Sequence, residues 1–379
     1  MAQALTVPFL DLNAQQAEIA DEVLPAWERI FRSSSFVGGP EVEGFEREFA
    51  EFSGARFAVG VANGTDAIEL ALRALEIEPG AEVILPVNTF IATAEAVSRV
   101  GATPVFVDVD PDFLLIDPDA VAAAVTPRTQ AIIAVHLYGQ VAPIGALLPI
   151  AARAGIPLIE DNAQAQGASS LLGRTGSLGT IAATSFYPGK NLGAAGDAGA
   201  VTTDDAGLAH AVRELAAHGS SVKYVHERIG VNSRLDAVQA VVLSAKLRRL
   251  EDWNAHRRAA AARYAELLEP LGVQVPRTRP GNLDVWHLYV ARFGNRDEVA
   301  RELAARGIGT AIHYPTPLHL TAAYAGAGLG RGLFPVAEAA AGRILSLPMF
   351  PHLTEQQQEL VADALADVLT GTEAIRAIA

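Results

Sequence analysis

The sequence predicts an α/β protein in which a large domain carries a mostly parallel seven-stranded sheet covered by helices. A smaller α+β domain follows at the C-terminal end. Three observations lead there. The chain has 379 residues, half of them hydrophobic, which is more than a single core usually holds. Through its first two-thirds, short Val/Ile/Ala-rich runs alternate with longer amphipathic ones, the pattern of strands buried on both faces by crossover helices. From Leu235 the pattern changes to a long helical run, and a smaller mixed segment comes after it.

The candidate strands are Phe57–Ala62, Val83–Pro86, Thr103–Val109, Ala131–His136, Ile156–Glu160, Ala182–Phe186 and Gly199–Thr203. Helical patterns fall between them at Asp66–Leu75, Ala92–Val100, Pro118–Ala124 and Ile144–Ala154. Ligands of such sheets collect at the carboxyl ends of the strands, so chemistry is expected there. In the long helical run, Leu235, Val238, Val242 and Ala245 share one face, and charge accumulates over Lys246–Asp252. The domain boundary is placed in that helix, giving a large domain 1–252 and a small domain 253–379. Beyond the Pro/Gly-rich connection 275–282 come Val285–Phe293, a helix Arg296–Arg306 and a last helix after Thr354. The extreme N-terminus is expected to pack on the second domain.

Composition removes several function classes. A formal net charge of −14 argues against a nucleic-acid or anionic-membrane surface, each of which needs a basic face. With no cysteine, thiol catalysis, disulfides and cysteine-ligated metal are excluded. No HExxH or other close His/acid cluster points to a metal site, and His313 and His319 stand apart from each other. No GxGxxG follows an early strand, so a dinucleotide site lacks its fingerprint. The segment Ala131–Ala152 lacks Asp, Glu, Lys and Arg and is long enough to span a bilayer. Its His136, Gly139, Gln140, Pro143 and Pro149 parse instead as strand, turn and helix. Residues 1–11 show no secretion signal. A soluble, cytoplasmic protein is expected.

Lysine usage is the most informative anomaly. There are three lysines, Lys190, Lys223 and Lys246, beside twenty-six arginines, so an amine nucleophile has only these candidates. Lys246 lies in an arginine-rich stretch of helix and reads as a solvated face; Lys223 precedes Tyr224 in a polar segment, open to ligand or water. Lys190 is different, because Ser185-Phe186-Tyr187-Pro188-Gly189-Lys190-Asn191-Leu192-Gly193 runs from a strand end into a glycine-rich loop. An ordinary lysine is protonated at neutral pH; to attack a carbonyl it must lose that proton, which partial burial and neighbouring groups promote. A solvated loop lysine is the plain alternative.

Two further segments sit at strand ends. Asp161, in Glu160-Asp161-Asn162-Ala163-Gln164, is placed to hold a cationic ligand group such as a protonated pyridine nitrogen, or simply to cap the next segment. Asn63-Gly64-Thr65-Asp66 opens a helix, and an anion suits that position because glycine admits close backbone approach and the helix terminus favours negative charge. Thr and Asp are also ordinary N-cap residues. Ser185 adds a hydroxyl from a neighbouring strand end.

Taken together, these segments resemble the DegT/DnrJ/EryC1/StrS family of sugar aminotransferases, which have the fold-type-I aspartate aminotransferase architecture. The resemblance covers nearly the whole chain. It runs through Pro8-Phe9-Leu10-Asp11, Gly38-Gly39-Pro40-Glu41-Val42, Asn63-Gly64-Thr65-Asp66-Ala67 and His136-Leu137-Tyr138-Gly139-Gln140. It continues through the Asp161 and Lys190 segments to Gly230-Val231-Asn232-Ser233-Arg234-Leu235, His313-Tyr314-Pro315 and Leu345-Ser346-Leu347-Pro348. The resemblance implies that the cofactor is pyridoxal 5'-phosphate, carried as a Schiff base by Lys190, which then moves a proton between substrate and cofactor carbons. By the same resemblance Asp161 holds the pyridine nitrogen, Gln164 lies beside the ring and its phenolic oxygen, and Phe90 stacks on it. Gly64, Thr65 and Ser185 are implied to bind the phosphate, and Asn232 to reach it from a neighbouring subunit, so a homodimer with shared active sites is expected. Family members that are dehydratases carry histidine where Lys190 stands, so transamination is favoured. The Lys190 segment, followed by Gly196-Asp197-Ala198-Gly199, is closest to the enzymes acting at C-3 of keto-sugar nucleotides, although Ala198 stands where that group more often has glycine. In that group Tyr187, His313 and Tyr314 line the sugar site, while Lys223 and Tyr224 approach the nucleotide from the partner. L-Glutamate is the expected donor and a dTDP-3-keto-6-deoxyhexose the expected acceptor. A C-4 keto sugar, a keto-cyclitol or a non-catalytic regulatory role are the alternatives.

Overall fold

Alternating apolar segments of the length seen here are stable only when both faces of their sheet are covered, and the chain folds accordingly. The computed structural model describes residues 6–378, with side chains as far as residue 370. Seven strands form one sheet: β1 (Phe57–Val61), β2 (Glu82–Pro86), β3 (Thr103–Val107), β4 (Thr129–Val135), β5 (Leu158–Asp161), β6 (Ile181–Ser185) and β7 (Gly199–Thr203). Their spatial order is β1-β7-β6-β5-β4-β2-β3. All pairings are parallel except those of β7, which runs antiparallel to both β1 and β6. The carboxyl ends of the other six strands therefore share one edge of the sheet.

The continuous apolar runs are explained by two cores, one on each face. Alternate residues of β4 go to different sides: Ile133 and Val135 join Leu70 and Val97, whereas Ile132 and Ala134 join Leu147 and Ile150. The charge-free stretch 131–152 is accordingly the end of β4, a tight turn at Leu137–Gly139 and the helix Ile144–Ala154. No helix among the described residues is long and apolar enough to cross a membrane.

A further cluster gathers Val7, Tyr264, Tyr289, Val299, Leu347 and Val361. It packs around a two-stranded antiparallel sheet, Tyr289–Arg292 against Ile344–Leu347. The helices Arg296–Ala305 and Glu355–Ile378 flank it. The N-terminal segment joins this cluster as expected: Val7 N–H donates to the Gly307 carbonyl at 3.0 Å, and Gly309 N–H donates to the Val7 carbonyl at 2.8 Å. Residues 1–5 lie outside the described part.

Three features differ from the sequence reading. The long helix after Leu235 is two helices, Ala237–Leu247 and Leu250–Leu268. Arg249 makes the break: its N–H takes the Lys246 carbonyl in a tighter turn, 3.0 Å, while its guanidinium donates to the Ala245 carbonyl at 2.7 Å. Lys246 is not solvated but 1% exposed, because the first of these helices is covered on most of its circumference. The helix after β1 begins earlier than read, at Gly64, with Asn63 rather than Thr65 or Asp66 as its cap; the Asn63 side chain accepts from Asp66 N–H at 2.8 Å.

Candidate active site

The shared edge of six strand ends is where the chemistry-bearing residues meet. A cavity of about 610 Å³ opens there, lined by Gly64, Thr65, Phe90, Asp161, Gln164, Ser185, Tyr187, Lys190, His313 and Tyr314. Each arrives from a different place: Gly64 and Thr65 after β1, Phe90 after β2, Asp161 at the end of β5, and Ser185 at the end of β6. Lys190 follows in the loop that closes with its N–H on the Tyr187 carbonyl, 2.8 Å. His313 and Tyr314 come in from the C-terminal third.

Asp161 forms the floor. Alternation along β5 separates it from Glu160, which points to the opposite face. There Glu160 is bonded by the N–H groups of Gly176, Leu178 and Gly179 at 2.9, 2.7 and 2.8 Å and by His136 Nε2 at 2.8 Å. His136 Nδ1 accepts from Ala142 N–H at 3.0 Å. Asp161 receives only Thr93 Oγ1 at 2.8 Å and Ala163 N–H at 3.2 Å. Burial raises its carboxyl above the usual range; those bonds, Lys190 and His136 oppose the rise without cancelling it. A buried carboxylate short of counter-charge fits a cationic ring nitrogen.

Lys190 is pushed down to about 8 by burial, with Asp161 pulling the other way. His313 is lowered to about 4 by burial and then by the Lys190 charge, so it is a neutral imidazole; its Nδ1 meets Ser346 Oγ at 2.8 Å. Phe90 is 53% exposed on the cavity wall, with Tyr314 tilted against it at a centroid distance of 5.6 Å. Gln164 ties the back wall together, its Oε1 accepting from Tyr138 N–H at 2.7 Å and its Nε2 donating to the Tyr314 hydroxyl at 3.2 Å.

The anion end of the cavity is built by close approach. A Cβ on Gly64 would fall 2.5 Å from Ser185 Cβ, so only glycine lets the helix N-terminus and the Ser185 hydroxyl share that corner. An uncompensated carboxylate, an amine held below its ordinary range, an open aromatic face and a helix terminus beside a hydroxyl together fit a phosphorylated pyridine aldehyde.

Asn232, Lys223 and Tyr224 do not line this cavity. They lie on the exposed segment after the helix Ala206–Ala216, with Tyr224 81% exposed and Asn232 bridged to Ala217. Sequence reading missed Thr93, the hydroxyl on Asp161, and Thr89, which bonds Thr93 at 2.8 Å. It also gave no role to Tyr138. Thr93 and Tyr138 have no local signal, since each acts through a partner distant in the chain.

Comparison with known proteins agrees over almost the full length. A family model, the DegT/DnrJ/EryC1/StrS aminotransferase family, matches residues 17–366. The erythromycin biosynthesis sensory transduction protein EryC1 of Saccharopolyspora erythraea is 50% identical over 362 residues, covering 95% of this chain and 99% of its own. The dTDP-3-amino-3,4,6-trideoxy-alpha-D-glucose transaminase of Streptomyces venezuelae is 48% identical, covering 97% of each chain. Among solved structures, S. venezuelae DesV in complex with a ketimine intermediate superposes with a TM-score of 0.94 at 48% identity, covering 96% of this chain and 98% of that one.

Proposed function

This chain belongs to the DegT/DnrJ/EryC1/StrS aminotransferase family, and from that premise we propose that it moves an amino group from L-glutamate to C-3 of a dTDP-3-keto-6-deoxyhexose, using pyridoxal phosphate on Lys190. The observation that carries the reading is the convergence of Lys190, Asp161 and the Gly64–Ser185 corner on one cavity. When bound, pyridoxal phosphate supplies an electron-withdrawing ring that stabilises negative charge on the carbon exchanging its nitrogen.

The side chains do the rest. Asp161 keeps the ring nitrogen protonated, and Thr93 and Ala163 hold that carboxylate in place. Gly64, Thr65 and Ser185, which line the anion end of the cavity, would hold the phosphate, and Phe90 on its wall would pack against the ring. Gln164, fixed by Tyr138 and Tyr314, would lie beside the ring. Lys190, whose amine loses its proton readily, both anchors the cofactor and shuttles the proton at the reacting carbon. Tyr187, His313 and Tyr314 face the sugar; the neutral His313 offers a hydrogen bond rather than a charge.

Asn232, Lys223 and Tyr224 are assigned to the partner's site in a homodimer. Their absence from the lining of their own chain's cavity supports this, as do the exposed apolar side chains of Phe31, Val37 and Ile229. The division at residue 252 and a cytoplasmic location belong to the same proposal, the former supported by the separate cluster about Tyr264 and Tyr289. A C-4 keto sugar or keto-cyclitol is the second reading, and C-3 is preferred on the 48%-identical relative that bears a C-3 amino-sugar name. A purely regulatory role is disfavoured by the intact set of Lys190, Asp161 and the Gly64–Ser185 corner, even though one relative is called a sensory transduction protein.

The test is an absorbance spectrum of the cofactor-loaded protein mixed separately with 3-amino and 4-amino dTDP-deoxyhexoses, which runs the acceptor half-reaction backwards. Loss of the cofactor band with the 3-amino sugar alone is expected. Loss with only the 4-amino sugar would move the reaction to C-4, and no change with either would remove both substrates.

A further inference from the structure

The turn His136-Leu137-Tyr138-Gly139-Gln140 enters the function proposed above only as a support for Gln164, yet its backbone is unusual. Tyr138 has φ +66, a left-handed conformation that a bulky aromatic adopts only when its surroundings enforce it. They do. Gly139 follows at φ +92, where a Cβ would lie 2.6 Å from the His287 nitrogen and 2.8 Å from that of Trp286. Val285 and Leu288 N–H groups donate to the carbonyls of Gly139 and Tyr138 at 2.9 and 3.2 Å, seating the turn against them.

This conformation brings both polar ends of Tyr138 to bear on one neighbour. Its N–H donates to Gln164 Oε1 at 2.7 Å, and Gln164 Nε2 donates to the Tyr314 hydroxyl at 3.2 Å. Its hydroxyl donates to the His313 carbonyl at 2.6 Å, and that carbonyl belongs to the peptide carrying Tyr314. Asn88 Nδ2 donates to the same phenol at 3.3 Å, which leaves the phenolic proton for His313. Burial pushes the phenol up to about 12, so that proton is kept. The resulting loop of bonds grips Tyr314 at its backbone and at its ring tip. Asp161 is held separately, by Thr93 and Ala163.

We propose that Tyr138 is a positioning residue that clamps Tyr314 at both ends, fixing the acceptor-facing wall of the cavity while leaving the Asp161–Lys190 floor untouched. The consequence is selective. The bulky sugar nucleotide depends on where that wall stands; the small amino-acid donor depends on the floor. This inference rests on the reading of His313 and Tyr314 as acceptor contacts.

Tyr138→Phe removes the hydroxyl and keeps the backbone N–H, so it opens the loop at one point. In the cofactor-loaded protein, the acceptor KM should rise about tenfold while the single-turnover rate with L-glutamate stays within about twofold. Amide hydrogen exchange over residues 311–316 should quicken, with residues 158–164 unchanged. Tyr314→Phe opens the same loop at its other end, and its effect on acceptor KM should be less than additive with that of Tyr138→Phe. Equal slowing of both half-reactions, or unchanged exchange at 311–316, would overturn the clamp. Faster exchange with an unmoved acceptor KM would overturn the acceptor role while leaving transamination itself in place. Should Tyr138→Phe not fold, the acceptor dependence of Tyr314→Phe decides instead, and an unmoved acceptor KM in that variant would overturn the clamp.

Discussion

The titration of Lys190 is the sharpest consequence of the site. Burial drives its amine down to about 8, and the Asp161 carboxylate limits the fall. At about pH 7.5 an amine of that pKa is ~24% neutral, whereas an ordinary lysine near about 10.4 is ~0.1% neutral. The reactive form is thus roughly two-hundredfold more abundant, which is the contribution of burial to capturing a carbonyl. Asp161→Asn removes the charge that holds the proton on, so the amine should titrate below 8 in that variant. The assay is capture of added pyridoxal phosphate by cofactor-free protein, followed by absorbance across about pH 6 to 10. The wild-type rate should rise through an inflection near 8 and level off; in Asp161→Asn the inflection should move to lower pH, whatever happens to affinity. A wild-type inflection near about 10, or one that Asp161→Asn leaves in place, would refute the electrostatic account of this site.

Other consequences concern stability, the anion corner and the shared site. Burial lowers Lys246 to about 8. Below that pH both folded and unfolded amines are charged and the folded state bears the full burial cost, which disappears as pH rises towards about 10.4. Lys246→Met should therefore stabilise the fold by ~2–3 kcal/mol at neutral pH, with a gain that shrinks in alkali, read from denaturant midpoints at two pH values. An unchanged neutral midpoint would mean that the amine is solvated. Gly64→Ala places a methyl 2.5 Å from Ser185 Cβ. It should cost roughly 1–3 kcal/mol and weaken cofactor affinity, measured by titration of the cofactor-free protein; wild-type affinity would separate that corner from the phosphate. Mixing the inactive variants Lys190→Ala and Asn232→Ala should restore about a quarter of wild-type activity, because half the dimers then hold one intact site. No recovery after subunit exchange would place Asn232 outside the partner's site.

Much of this protein is legible in its sequence. The continuous apolar runs and the helical patterns between them located all seven strands of the main sheet to within about two residues, because strands buried on both faces must be apolar throughout. Composition left only three lysines to consider, and placing Lys190 and Asp161 at strand ends put them where parallel sheets bind ligands. Other features were out of reach. The face on which Lys246 lies looks solvated in isolation, and only the neighbouring helices cover it. The break at Arg249 depends on where its guanidinium turns, and the turn with left-handed Tyr138 is seated by backbone N–H groups far along the chain, at Val285 and Leu288.

The sequence by itself determined the order of the strands and the sheet and narrowed the amine candidates to three lysines, because each of these is written in the local apolar pattern or in composition. Only the tertiary structure decided how those groups are tuned and held: Thr93 on Asp161 across 68 residues, Tyr138 on His313 across 175, and burial bringing the Lys190 amine down. The physical reason is that hydrogen-bond partners and desolvation are properties of neighbours in space, and in a sheet wound by crossovers those neighbours are far apart along the chain.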